Sequence, residues 1–227
     1  MGREVGMSVV YLLRHGQASF GAADYDVLSP QGELQAKVLG EELRTRGITP
    51  VQAWSGTLSR QRATASIALA AAGLDLPVRE DPRWNEYDHL GLVQHLLARE
   101  NVGAPASPRE FQAVLDRALH GWITDGESAG PAGTYADFDA AAAAALTELA
   151  AGLGSGGTAV VFTSGGVIAT LCSRLLGLPG AALVALNRVV VNAAVTKVVH
   201  GRAGASLVSF NEHGHFEGPN RELLTYR

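Results

Sequence analysis

The chain has 227 residues, 47% of them hydrophobic and 18% charged, with a formal net charge of −4; this excludes a disordered chain and a coiled coil, and without a long basic run it argues against nucleic acid as a partner. One cysteine, Cys172, excludes an intramolecular disulfide and fits a reducing cytosol. The first residues lack the apolar core of a signal peptide, and no stretch of about 18 apolar residues offers a membrane span, so a cytoplasmic chain without membrane contact is expected.

Strand and helix signals alternate along the chain. Residues 8–13 are an apolar run that reads as a buried strand. Ser29-Pro30 supplies an N-cap and a proline at the first helical position, Leu34, Val38, Leu39 and Leu43 follow at helical spacing, and Gly47 ends the helix. Residues 51–55 read as a second strand and 59–72 as a second helix. Residues 76–106 read as irregular, broken by Pro77, Pro82 and Pro105. Ser107-Pro108-Arg109-Glu110 is a capping box opening a helix to about residue 120, and a Gly/Ser/Pro-rich surface loop spans 125–133. The region 76–133 is thus expected to be an insertion over a ligand site. An alanine-rich helix runs from Thr134 to Leu153, then a near-continuous apolar strand over 158–163, which feeds a helix from Val167 to Leu176. Residues 189–199 and 206–210 look like a closing antiparallel hairpin, which could pair two subunits into a homodimer. The order predicts one α/β domain over 1–227: three αβα layers around a doubly wound, mostly parallel sheet with an antiparallel edge.

The first strand ends in Arg14-His15-Gly16, where open α/β sheets bind ligands. Arginine offers phosphate a planar fork of donors. Histidine is a nucleophile or base near neutral pH. Glycine lets backbone N–H groups approach an anion closely. Three more segments belong with it: Ser55 to Ala65 after the second strand, Arg83-Trp84-Asn85-Glu86-Tyr87-Asp88 in the irregular region, and Thr163-Ser164-Gly165-Gly166 at the end of the late strand.

From about residue 8 to 215 the chain resembles the histidine phosphatase superfamily, in its phosphoglycerate-mutase-like branch. "LLRHGQASF" is similar to the family's Arg-His-Gly motif. "SGTLSRQRATA" resembles its Ser-x-Leu-x-Arg-Ala-x-x-Thr-Ala segment, which makes Arg60 the second phosphate arginine; Gln61 replaces the usual alanine, and Arg62 is expected on the helix surface. "RWNEYD" resembles the segment with the general acid, which implies Glu86, with Asp88 in reserve. The family's late strand ends in Ser-His-Gly-Gly, so Ser164 stands where its second histidine would be, beside Gly165. A neutral hydrogen bond in place of a charge-assisted one forfeits roughly 1–2 kcal/mol, or about 10- to 30-fold in rate.

The resemblance implies a phosphomonoesterase acting through a phosphohistidine on His15, with Arg14, Arg60, Ser164 and Gly165 binding phosphate and Glu86 as general acid and base. It implies a phosphorylated small-molecule substrate, with no cofactor and no metal. Three alternatives stay open: a phospholigand-binding pseudoenzyme, a phosphoprotein-directed regulator, and a phosphoglycerate-mutase-type phosphotransferase. The mutase is less expected, because Gly21 stands where mutases of the family carry asparagine. His89 and His95 read as solvated. His213 and His215 read as structural, with compensation for Ser164 as the alternative. Residues 162–166 lack the Gly-x-Ser-x-Gly pattern of a serine hydrolase, and Gly154–Gly157 is not followed by the Lys-Ser/Thr of a P-loop.

Overall fold

Alternating side chains of the first strand serve two different cores. Val10 and Leu12 face one apolar cluster, Tyr11 and Leu13 the other, as the two-residue period of a strand requires. A computed structural model describes residues 6–19, 26–124, 126 and 133–226. Gly21 and most of the 125–133 loop lie outside the described residues.

The strands are β1 (Ser8–Arg14), β2 (Gln52–Ser55), β3 (Val78–Glu80), β4 (Thr158–Thr163), β5 (Val195–Gly201) and β6 (Gly204–Glu212). They form one sheet in the order β3-β2-β4-β1-β5-β6. β1, β2, β3 and β4 are mutually parallel, and β5 runs antiparallel to both β1 and β6. The helices are α1 (Pro30–Thr45), α2 (Ser59–Ala72), α3 (His89–Glu100), α4 (Pro108–Thr124), α5 (Tyr135–Gly152), α6 (Gly165–Leu175) and α7 (Ala182–Val189). α1 and α2 cover one face of the sheet, through Leu39, Leu43, Ala65 and Ala68 on Leu13, Val160 and Phe162. α5 and α6 cover the other, through Ala142, Leu146, Ile168 and Leu171 on Val10, Leu12 and Val161. The expected three-layer αβα architecture with an antiparallel edge is therefore present. No described helix is long and apolar enough to cross a membrane.

Two expectations need correction. Residues 76–106 are not irregular: they contain β3, a 3-10 turn at Pro82–Trp84, and α3. Pro77 precedes β3 and Pro82 begins the turn, places where proline forfeits no needed N–H. The first part of the supposed insertion is therefore sheet edge, while α3 and α4 pack on α6 and α7 through Leu92, Leu119, Trp122, Ala169 and Leu183. Second, residues 189–194 are not strand. The β-branched run Val189-Val190-Val191 reads as extended, yet its backbone is held by a side chain: Asn211 accepts from the Val191 N–H at 2.8 Å and donates to the Val189 carbonyl at 2.7 Å. β5 starts only at Val195, after Ala193 has turned the chain at φ 57°.

Candidate active site

Arg14 ends β1 and His15 follows at once. The His15 N–H donates to the Thr163 carbonyl at 2.9 Å, and its own carbonyl accepts from the Asn192 amide at 3.2 Å. The parallel pairing of β1 with β4 thus fixes the backbone of both strand ends. The His15 side chain is only 6% exposed. Its Nδ1 lies 2.7 Å from the Gly16 carbonyl, an acceptor, so Nδ1 carries the proton and Nε2 keeps a lone pair. Arg60 Nε donates to that Nε2 at 3.2 Å. Burial, then the positive charges of Arg60 and Arg14, hold the imidazole well below its ordinary pKa, so it is neutral.

Arg60 stands in the first turn of α2, which is tied to β1 by one hydroxyl: Thr64 Oγ1 accepts from the Gly16 N–H at 3.0 Å and donates to the Arg60 carbonyl at 2.7 Å. Close approach elsewhere sets the same geometry. A Cβ on Gly16 would lie 2.3 Å from the Gly32 carbonyl oxygen, and one on Gly32 would lie 2.1 Å from that of Gln17. The guanidinium of Arg60 pairs with Asp26 at 2.6 Å, and Asp26 also accepts from the Ser59 N–H at 2.7 Å. Arg14 donates to the carbonyls of Val190 and, at 2.7 Å, Tyr226.

Glu86 comes from the loop after the 3-10 turn. It accepts from the Gly166 N–H at 3.1 Å and the Tyr87 N–H at 3.2 Å. Burial raises its carboxyl above the usual glutamate range, although those N–H groups and both arginines pull the other way. Gly165 lies against Arg14, whose Nε would be 3.4 Å from a Cβ there. Arg14, His15, Arg60, Glu86 and Gly165 are therefore brought together at the carboxyl ends of β1, β2 and β4. Ser164 occupies the N-cap position of α6 without capping it, has no measurable exposure, and accepts from Gln61 at 2.9 Å.

The other singled-out residues sit elsewhere. Asp88, the reserve acid, caps α3 by accepting from the Gly91 N–H at 2.8 Å. Arg62 is a surface residue 3.4 Å from Glu80. His95 is exposed on α3. His213 Nδ1 meets the Asn211 carbonyl at 2.5 Å, and His215 Nε2 meets that of Ala193 at 3.0 Å. Neither contact reaches His15 or Ser164. The Trp84 indole is buried in the core, and it borders a cleft of about 230 Å³ whose lining includes Trp54 and Arg79 but none of the site residues. Among the described residues, no three His, Cys, Asp or Glu side chains converge as metal ligands would. Sequence reasoning missed Asp26, Asn192 and the part played by Gln61. Asp26 and Asn192 act across more than 20 positions of sequence, as do two of the three bonds of Gln61; only its bond from the Leu58 N–H, at capping-box spacing, is local.

An α/β sheet whose parallel strand ends present a neutral histidine between two arginines defines a phosphate-handling protein of the histidine phosphatase kind. The chain belongs to the histidine phosphatase superfamily (branch 1), whose family model matches residues 10–213. It is similar to the probable phosphoglycerate mutase GpmB of Citrobacter koseri, 31% identical over 181 residues that cover 76% of this chain and 77% of that protein. Among solved structures it is similar to mycobacterial glucosyl-3-phosphoglycerate phosphatase, with a TM-score of 0.64 and 25% identity over 90% of this chain and 99% of that one. It shares its fold with Bacillus stearothermophilus YhfR, with a TM-score of 0.71 and 21% identity over 92% of this chain and all of that one. Its relatives and structural neighbours thus carry both mutase and phosphatase names.

Proposed function

We propose that the chain is a phosphatase that hydrolyses a phosphomonoester through a phosphohistidine on His15. The observation that carries this reading is the fixed tautomer of His15: Nδ1–H is spent on the Gly16 carbonyl at 2.7 Å, leaving the Nε2 lone pair beside a guanidinium. A neutral imidazole whose Nε2 lone pair is held by the Arg60 N–H becomes a nucleophile when that N–H turns to an incoming phosphate, and the flanking cations attract the phosphate to it.

In the first step Nε2 attacks phosphorus, the ester P–O bond breaks, and Glu86 gives its proton to the leaving alkoxide. Arg14 and Arg60 take up the charge on the transferring oxygens, with the Gly165 N–H at the start of α6. Ser164 accepts from Gln61 and keeps its own proton, so it is a neutral donor for the same anion. In the second step Glu86 takes a proton from water, the new P–O bond forms, the P–N bond breaks, and phosphate leaves a neutral His15. The raised carboxyl pKa suits Glu86 to carry that proton. The buried lone cysteine fits a reducing, cytoplasmic setting.

A neutral Ser164 also favours a second reading, a protein that binds phosphate groups without cleaving them. The deciding experiment is p-nitrophenyl phosphate hydrolysis from about pH 4 to 8, the natural protein beside His15→Ala. Turnover that vanishes in His15→Ala supports the phosphatase. Phosphate binding without turnover supports the second reading. Turnover that persists in His15→Ala refutes the mechanism. A mutase would share the first step, but it would pass the phosphoryl group to a second hydroxyl instead of releasing free phosphate.

A further inference from the structure

Gln61 has no measurable exposure, and its amide reaches three separate segments of the site. Oε1 accepts from the Leu58 N–H at 3.3 Å, at the start of the helix that carries Arg60. Nε2 donates to the Trp84 carbonyl at 2.9 Å, two residues before Glu86, and to Ser164 Oγ at 2.9 Å, one residue before Gly165. The backbone partners fix the amide's orientation, because a peptide N–H must face its oxygen and a carbonyl its nitrogen. Both Nε2 protons are then used and Ser164 is obliged to accept. The space is tight: a Cβ on Gly56 would lie 2.0 Å from Gln61 Oε1. The carbonyl of Trp84 is gripped from the other side by Thr163 Oγ1 at 2.6 Å, so the loop before Glu86 hangs between α2 and the end of β4.

We propose that Gln61 is the positioning residue of this site: it sets the separation of the Arg60 helix, the Glu86 loop and the Ser164–Gly165 turn, and with Ser164 it fills, as one interlocked pair, the space an imidazole at position 164 would need. The assignment rests on the phosphatase reading for its effect on turnover, but not for its effect on phosphate binding. A serine at 164 accepts a bond from a neighbour that is already there. A histidine at 164 would have to displace the Gln61 amide.

The test is a set of four variants, Gln61→Met, Gln61→Ala, Ser164→His and Gln61→Ala/Ser164→His, each confirmed folded by circular dichroism. Steady-state hydrolysis of p-nitrophenyl phosphate and calorimetric binding of inorganic phosphate are read for all. Gln61→Met keeps the volume and loses the three bonds. Its kcat is expected to fall about 10- to 100-fold while KM stays within about threefold, because Arg14 and Arg60 still bind the phosphate. Ser164→His alone is expected to lose at least about 10-fold in kcat/KM and in phosphate affinity, and Gln61→Ala in the same chain is expected to recover most of both. A Gln61→Met enzyme within about twofold of the natural kcat, or a Ser164→His loss that Gln61→Ala leaves unchanged, overturns the assignment. If the natural protein turns nothing over but phosphate affinity follows the expected cycle, the phosphatase reading fails and the pairing of Gln61 with Ser164 stands. Turnover with strictly additive effects sinks the pairing and leaves the phosphatase intact.

Discussion

Gly166→Ala adds one methyl group at the second residue of α6. Its Cβ would lie 2.0 Å from Glu86 Oε1 and 2.5 and 2.6 Å from two carbons of the Tyr87 ring, where ordinary contact begins at 3.4 Å. Tyr87 cannot retreat far: it is 6% exposed, with Trp122 at 5.6 Å and Phe138 edge-on at 5.9 Å. The displacement therefore falls on the Glu86 carboxylate, which must withdraw by about 1.4 Å. A misplacement of about 1 Å is worth about 100-fold in rate. The fold is retained, because alanine gains about 1 kcal/mol of helix propensity over glycine against an overpacking cost of about 1–3 kcal/mol. The expected result with p-nitrophenyl phosphate is a kcat about 100-fold lower with KM falling alongside it, so that kcat/KM stays within about threefold, since neither arginine is touched and the slowed step follows phosphoryl transfer. The p-nitrophenolate leaving group needs little acid, so the slow step becomes attack of water on phosphohistidine. That intermediate should accumulate, and rapid quenching into alkali followed by mass measurement would detect it. A folded Gly166→Ala protein with kcat within about twofold of the natural one would refute the placing of Glu86 at the reacting atoms.

Other expectations follow from the same contacts. The folded state holds His15 neutral while the unfolded imidazole protonates below about pH 6.5, so the unfolded chain binds more protons as the pH falls. Stability should therefore drop below that pH with a slope of up to about 1.4 kcal/mol per pH unit. His15→Gln should show less of this loss in denaturant titrations, and equal pH dependence in the two proteins would disprove it. Gly32→Ala sets a methyl 2.1 Å from the Gln17 carbonyl oxygen, a backbone clash that no rotamer relieves. About 3 kcal/mol of stability should be lost, lowering Tm by about 6–12 °C; an unchanged melting curve would contradict the close approach. Burial pushes the Cys172 thiol up to about 12, so iodoacetamide should label it only in denaturant. Rapid labelling of the folded protein would contradict its placement in the core.

The parts of the site legible in the sequence are those the backbone itself dictates. Arg14-His15-Gly16 closes an apolar run too continuous for anything but a central strand, and a polar triplet there has nowhere to go but the crevice beyond the sheet. Arg60 and Glu86 were reached only through the family resemblance; nothing in their own spacing selects Arg60 over Arg62, and only the fold shows the first turned to His15 and the second to Glu80. β3 was illegible because three residues are too few to show a period of two. α3 was hidden by the neighbouring prolines, although Asp88 followed by Leu92, Val93 and Leu96 is a cap and an apolar stripe. Asp26 meets Arg60 across 34 positions, and Asn192 holds His15 across 177, so only the assembled sheet relates them.

Burial drives the two titrating groups of the site in opposite pKa directions toward the same charge. It pushes the His15 imidazole down and the Glu86 carboxyl up, because burial penalises the charged form of each. The arginines strengthen the first shift and weaken the second, yet burial remains the larger influence on both. On the phosphatase reading the neutral forms are the two the first step needs, a lone pair on the nucleophile and a proton on the acid. The neutral imidazole adds no charge of its own, so an arriving phosphate is attracted by the guanidiniums. Arg60 meets that phosphate already partnered by Asp26, while Arg14 is held by carbonyl dipoles that carry no net charge. A serine at position 164 leaves this balance undisturbed, because a neutral hydroxyl bonded to a neutral amide adds no further titrating group to the pocket. A neutral residue at position 164 therefore leaves the positive charge of the site to its two arginines, provided Gln61 keeps the three segments at the separation they require.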